Sequence, residues 1–300
     1  MSVGAAPTLE VGKYHGLGND FLVVLGPSVD IGPGLARALC DRHRGIGADG
    51  LVLGLLLAPD GGSAMSFRLW NADGSEAEMS GNGMRCLAHA ALDAGWVRSG
   101  TRFEVSTPAG LRGVLVEARG PSTAWAEVEM GTPVALGGGD CCNVDHGQLQ
   151  VTVGNPHLVV AGADPAGVDV GFLGPALERS DPAEPAGRNV EFVALGPGAD
   201  EVTMRVWERG VGETEACGTG SVAAAFAFWR WGRVGRAVTV HQPGGSLVVR
   251  LGDDGSARLA GPSERVAVCS VALDGVPVES PGRPAVARGG ASFDGASGVR

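Results

Sequence analysis

Short runs rich in β-branched and apolar residues recur between glycine and proline turn signals, as in FLVVLG (21–26), LVLGLLLA (51–58), RFEVSTPAG (102–110), LQVTVG (149–154), NVEFVAL (189–195) and TMRVWERG (203–210). The pattern predicts a chain built mostly of strands. Two segments break it with helical character, CLAHAALDAG (86–95) and SVAAAFAFWRWG (221–232), and each closes on a glycine suited to the left-handed position past a helix end. The second is apolar on nearly every face, which predicts a buried central helix.

Both helical segments open alike, with SGNGMRC at 80–86 and CGTGSVA at 217–223. A small polar or nucleophilic residue is followed by Gly-x-Gly and then by helix. One such signal in each half predicts a mixed α/β (α+β) fold of two similar lobes, each wrapping strands around a central helix, with the glycine loops facing one another. The boundary is expected near 122–126. Residues 1–123, with a returning strand at about 265–275, would form the N-terminal lobe, and 124–264 the C-terminal lobe. The Pro-, Gly- and Ser-rich segment 276–300 reads as a disordered tail without a catalytic part.

Composition narrows the function classes. With 44% hydrophobic and 19% charged residues, a chain of 300 residues can bury a large core. A net charge of −10 and the small size of the basic patch Arg42, His43, Arg44 argue against a nucleic-acid partner, whose affinity rests on clustered Lys and Arg. The first twelve residues lack a signal-peptide pattern, and no run approaches the ~18 apolar residues of a membrane span, so a cytoplasmic protein with no membrane partner is expected. The six cysteines show no zinc-type spacing and are expected to be reduced; the adjacent Cys141 and Cys142 are poorly placed to bridge one another. Lys13 is the only lysine, and no phosphate-cradling loop lies beside it. Since pyridoxal phosphate requires a Schiff-base lysine, amino-acid chemistry here is expected to run without that cofactor, and no metal is expected.

The glycine loops suit carbanion chemistry. A helix N-terminus presents unpaired N–H groups and a positive dipole end to a carboxylate. A cysteine there is expected to have a lowered pKa and to act as a base, which describes Cys217. Inverting a stereocentre requires one group to remove the α-proton and another to deliver a proton to the opposite face; two opposed helix ends provide that geometry. Turnover near 10 s⁻¹ implies a barrier of about 16 kcal/mol. Each donor of oxyanion-hole type lowers such a barrier by about 3 to 4 kcal/mol.

Seven segments together resemble the diaminopimelate epimerases: HGLGNDF (15–21), RHRGIGADG (42–50), NADGSEAEMSGNGMRC (71–86), GNPH (154–157), RNVEF (188–192), ERGVGETEACGTGS (208–221) and QPGG (242–245). They follow in order from residue 13 to about 270. The resemblance implies a two-lobed homodimer that interconverts LL- and meso-2,6-diaminopimelate in lysine biosynthesis, with an amino acid as its small-molecule substrate and no cofactor or metal. It makes Cys217 one acid/base. Gly81, Asn82, Gly218 and Thr219 would hold the reacting carboxylate, and Asn19, Asn71, Asn155, Asn189, Glu208 and Arg209 would bind the substrate. His157 is a further candidate. Arg209 can grip a carboxylate bidentately and Asn side chains both donate and accept; Asn71, Asn155, Asn189 and Arg209 suit a second amino-acid head.

Each residue also has a structural reading. Asn19 and Asn71 are turn formers, Glu208 and Arg209 could be a solvated strand-end pair, His157 and His89 could be structural, and Asp73 and Glu76 could cap the loop. Arg188, an unusual occupant before Asn189, could alter the distal pocket.

The chain departs from the family pattern at Ser80, where the first catalytic cysteine is expected; Cys86, six residues on in the helix, should point elsewhere. A hydroxyl as weakly acidic as water (~15.7) against a thiol at ~8.5 is worse by about 9 to 10 kcal/mol in forming the anion. A helix dipole returns only ~0.3 to 2 kcal/mol. Three readings follow: an epimerase slowed at this site, as when a serine is introduced to trap a complex; a racemase or lyase for another polar amino acid such as O-ureidoserine, using Cys217 as main base; or an amino-acid-binding pseudoenzyme.

Overall fold

The structure is a computed structural model, and it describes residues 8–26, 31–57, 64–77, 79–137, 147–162 and 164–273. Cys141, Cys142 and the segment 276–300 lie outside these residues.

Two successions of elements repeat one another. The first runs β1 (Thr8–Gly16), β2 (Asn19–Leu25), α1 (Pro33–Cys40), β3 (Gly50–Leu56), β4 (Ala64–Asn71), β5 (Glu76–Ala77), α2 (Gly81–Asp93), β6 (Thr101–Thr107), β7 (Gly110–Ala118) and β8 (Thr123–Gly131). After β9 (Val134–Gly137), the second runs β10 (Gln148–Thr152), β11 (Pro156–Ala161), α3 (Val170–Glu178), β12 (Asn189–Leu195), β13 (Glu201–Glu208), β14 (Gly212–Thr214), α4 (Gly218–Arg230), β15 (Ala237–Gln242), β16 (Gly245–Leu251) and β17 (Ala257–Ala272).

Parallel strands need a crossover, and each parallel pair has its helix. α1 joins β2 to β3 and α2 joins β4 to β6; α3 joins β11 to β12 and α4 joins β13 to β15. The remaining pairings are antiparallel, and β1, β2, β3, β4, β6, β7, β8 and β17 close into an eight-stranded barrel. The long β17 ties the two lobes, because Ala257–Ala260 pair with β16 while Lys13 to Thr8 of β1 pair with Ala267–Ala272.

The two central helices fill the barrels. Residues 81–91 of α2 are all buried, as are ten of the thirteen residues of α4. Gly95 and Gly232, with φ of 72° and 68°, end them in the left-handed conformation that glycine adopts without strain. Their interiors form one apolar cluster through both lobes. α1 and α3 pack outside the barrels over smaller clusters around Leu22 and Val190.

The sequence reading missed α1 and α3. In α1 the signal was Pro33 in the first turn with Leu35, Ala36 and Leu39 on one buried face, but it spans only eight residues. In α3, Pro175 and Gly174 read as breakers. Gly174 is there for space: a Cβ on it would lie 2.5 Å from Cγ of Trp207, whose Nε1 donates to Glu178 Oε2 at 2.7 Å.

Candidate active site

Ser80 and Cys217 occupy the same position on equivalent helices. Each is the extended N-cap residue of a thirteen-residue helix, and each side chain accepts from the amide three residues on: Ser80 Oγ from Gly83 N at 3.0 Å, Cys217 Sγ from Gly220 N at 3.4 Å. The glycines expected before the helices thus form their first turns. Both N-caps line a cleft of about 820 Å³ between the lobes.

The cleft wall contains most of the site residues expected from the sequence: Asn19, Asn71, Gly81, Asn82, Asn155, Glu208, Arg209, Gly218 and Thr219 all line it. Asn82 bridges the lobes, its Nδ2 donating to Asn19 Oδ1 at 3.0 Å and to Ala216 O at 3.3 Å. Asn19 in turn donates to Asp49 Oδ2 at 2.7 Å. Asn71 also has the turn role considered for it, donating to Ser75 Oγ at 3.0 Å, while Asp73 accepts from the Ser75 amide and hydroxyl. Glu76 pairs with Arg68 at 3.0 Å.

Two expected residues stand behind the wall. Asn189 is buried and accepts the Arg209 amide on Oδ1 at 2.9 Å, so it orients the residue that lines the cleft. His157, also buried, sits between Glu191 (2.6 Å) and Asn155 (3.0 Å). Arg188 is not among the residues that line the cleft; it is tied to Asp181 at 3.1 Å and Ser180 at 2.8 Å. His89 contacts Ser263 at 3.2 Å and lies 3.7 Å from Asp93 in the lobe interior, the structural role. Cys86 is buried beside Ser263, away from the cleft. Lys13 is held by Asp20 at 2.9 Å and Gly47 O at 2.6 Å.

One electrostatic expectation is reversed. Burial, then the charges of Glu208 and Glu191, push the Cys217 thiol well above its ordinary pKa. The hydrogen bonds from Gly220 and Thr219 favour the thiolate without prevailing. Burial likewise raises Glu208, against the Thr214 hydroxyl that donates to it. Fixed dipoles at the helix end therefore compete with desolvation and two carboxylates.

The sequence reading also missed Gln242. Its Oε1 accepts the Cys217 amide at 2.8 Å and its Nε2 donates to Ser221 Oγ at 3.0 Å, which fixes the cap from the next strand. The signal was present in QPGG, whose Gly244 lies so close to Leu17 O that a side chain could not fit. Asp49 and Arg42, 2.7 Å apart, form another part of the cleft wall that motif reading did not single out.

A family model described as diaminopimelate epimerase matches residues 11–136 and 149–266. The chain belongs to the diaminopimelate epimerase family. This membership places it among the isomerases that act as amino-acid epimerases. It is 45% identical to the diaminopimelate epimerase of Desulforudis audaxviator over 279 residues, covering 86% of this chain and 97% of the relative. Identity to the Corynebacterium glutamicum diaminopimelate epimerase is 40%, covering 89% of this chain and 99% of the relative. Two solved structures share the fold at lower identity. A predicted epimerase from Pseudomonas aeruginosa superposes with a TM-score of 0.68 at 17% identity, over 88% of this chain and 99% of that one. A hydroxyproline epimerase from Agrobacterium vitis gives 0.63 at 20%, over 91% and 93%. Among the described residues no helix is long and apolar enough to cross a membrane.

Proposed function

We propose that this protein interconverts LL- and meso-2,6-diaminopimelate by proton transfer at the α-carbon, without cofactor or metal, and that Ser80 slows the step on its face. The observation that carries the reading is the equivalence of Ser80 and Cys217 as N-caps of two helices that open on one cleft. The reacting carboxylate lies across the first turns of α2 and α4, where amides and dipoles stabilise the charge that develops as the α-proton leaves. Cys217 removes or returns the proton on one side, and the Ser80 hydroxyl faces the other.

The substrate completes the electrostatics. Its ammonium group pairs with Glu208, neutralising one of the charges that raise Cys217 and so favouring the thiolate only when the cleft is filled. Arg209, Asn71 and Asn155 hold the distal amino-acid head, with Asn189 fixing Arg209.

Incubation of LL-diaminopimelate in D₂O tests this. Deuterium at the α-carbon is expected, with inversion slower than exchange. Binding without any exchange would instead mark a pseudoenzyme, and exchange of another polar amino acid such as O-ureidoserine in its place a racemase or lyase of different substrate. The same reading implies a cytoplasmic homodimer in lysine biosynthesis, with lobes divided as 1–123 plus the return near 265–275, and 124–264.

A further inference from the structure

Glu191 is completely buried on β12, and the proton transfer just described does not use it. Its Oε1 lies 2.6 Å from Nδ1 of His157 on the neighbouring parallel strand β11. Both side chains are closed to solvent, and Oε2 has no hydrogen-bond partner among the described residues. Buried carboxylates with an unpaired oxygen are rare, and they concentrate where a charge has a task.

The carboxylate also presses on the first turn of α4. A Cβ added to Gly220 would stand 2.8 Å from Glu191 Oε1 and 3.3 Å from the Cβ of Cys217. The glycine therefore lets a negative charge sit directly under the turn that carries the thiol. On its other side, His157 Nε2 is 3.0 Å from Asn155 Oδ1, and Asn155 Nδ2 donates to Thr219 Oγ1 at 3.4 Å. Asn155 Oδ1 is an acceptor, so Nε2 donates to it, and Nδ1 faces the Glu191 side chain. The ring thus has one orientation available to it.

We propose that Glu191 is a positioning residue for the Cys217 half of the site: it locks His157 so that Nε2 holds Asn155 against Thr219, and its carboxylate beneath the first turn of α4 opposes negative charge at Cys217. The charged groups that act on Cys217 are Glu208 from β13 and Glu191 from β12, with His157 from β11 beside Glu191, while Arg209, Glu213 and Glu215 line the same cleft. The neighbouring strand β15 supplies neutral Gln242, and α2 supplies neutral Asn82 and Ser80. The inference rests on Cys217 being an acid/base of the reaction, but it can be read without substrate.

The test is the pH dependence of alkylation of Cys217 by iodoacetamide, located by peptide mass mapping, in the parent and in Glu191→Gln. The substitution keeps the shape and an acceptor oxygen while removing the charge. The profile is expected to move to lower pH by at least about one unit, near tenfold faster alkylation at neutral pH, and Glu191→Asp should restore the parent profile. A downfield imidazole proton of His157, present in the parent, should be lost in Glu191→Gln. If that variant does not fold, His157→Gln, which removes the imidazole that holds the carboxylate in place, should shift alkylation the opposite way. An unmoved profile in a folded variant of either kind overturns the proposal. Shifted alkylation with no exchange of diaminopimelate would remove the substrate reading alone; normal exchange with an unmoved profile would remove this inference alone.

Discussion

A Cβ added to Gly218 would stand 3.4 Å from the Cα of Gly81. The first turns of the two central helices therefore meet backbone to backbone, and a methyl on Gly81 or Gly218 would press the same Leu259 side chain, at 2.8 and 2.9 Å. This contact sets how far apart the two N-caps stand. Gly218→Ala is expected to lower kcat/KM by about 10²-fold, the penalty for displacing reacting groups by roughly an ångström. Leu259 can turn aside, so thermal stability should change little; steady-state kinetics beside a melting curve checks both halves.

The raised Cys217 thiol sets a sign for pH dependence. Burial and then Glu208 and Glu191 disfavour the anion, so the thiolate fraction, and with it α-proton exchange, should keep rising through neutral and alkaline pH. A rise of about tenfold per unit is expected until the thiol ionises. Cys217→Ala should abolish exchange while leaving binding measurable by calorimetry, and a pH–rate profile in D₂O follows both.

Gln242→Leu removes the acceptor of a buried amide, that of Cys217. Leaving such a donor unpaired costs about 1 to 3 kcal/mol. The variant should melt earlier and lose kcat more than affinity, which melting and a kcat-against-KM comparison will show.

Two thiols distant from the chemistry bear on alkaline stability. Burial pushes Cys40 and Cys86 each up to about 12. In the unfolded chain they ionise near ~8.5. Their contribution is therefore fully present below that pH and is lost as the pH rises toward the folded value, at up to ~1.4 kcal/mol per unit for each thiol. Melting temperature should fall between about pH 9 and 11, and Cys86→Ala should flatten the slope.

Strands carried by β-branched runs were readable because their side chains decide the matter locally; NVEFVAL is β12 from end to end. The two helix starts were readable because small N-caps and glycines recur in both halves. α3 was hidden, since Pro175 reads as a breaker and Gly174 is required by close packing against Trp207, distant in sequence. The expected site residues that line the cleft follow from motifs, but the ionisation of Cys217 depends on Glu191, 26 residues away and brought beneath α4 only by folding. Asn189 and His157 show the same limit: their residue types were noticed, while their place behind the wall depends on the parallel pairing of β11 with β12.

Proton NMR of LL-diaminopimelate in D₂O, with the parent protein and with Ser80→Cys, tests the central claim most directly. The parent should exchange the α-proton while forming meso product slowly. Ser80→Cys should accelerate inversion by about 10²- to 10⁴-fold, the range of a competent general acid or base. Inversion by the parent at the same rate as the variant, or silence from both, would contradict a two-sided transfer limited at Ser80.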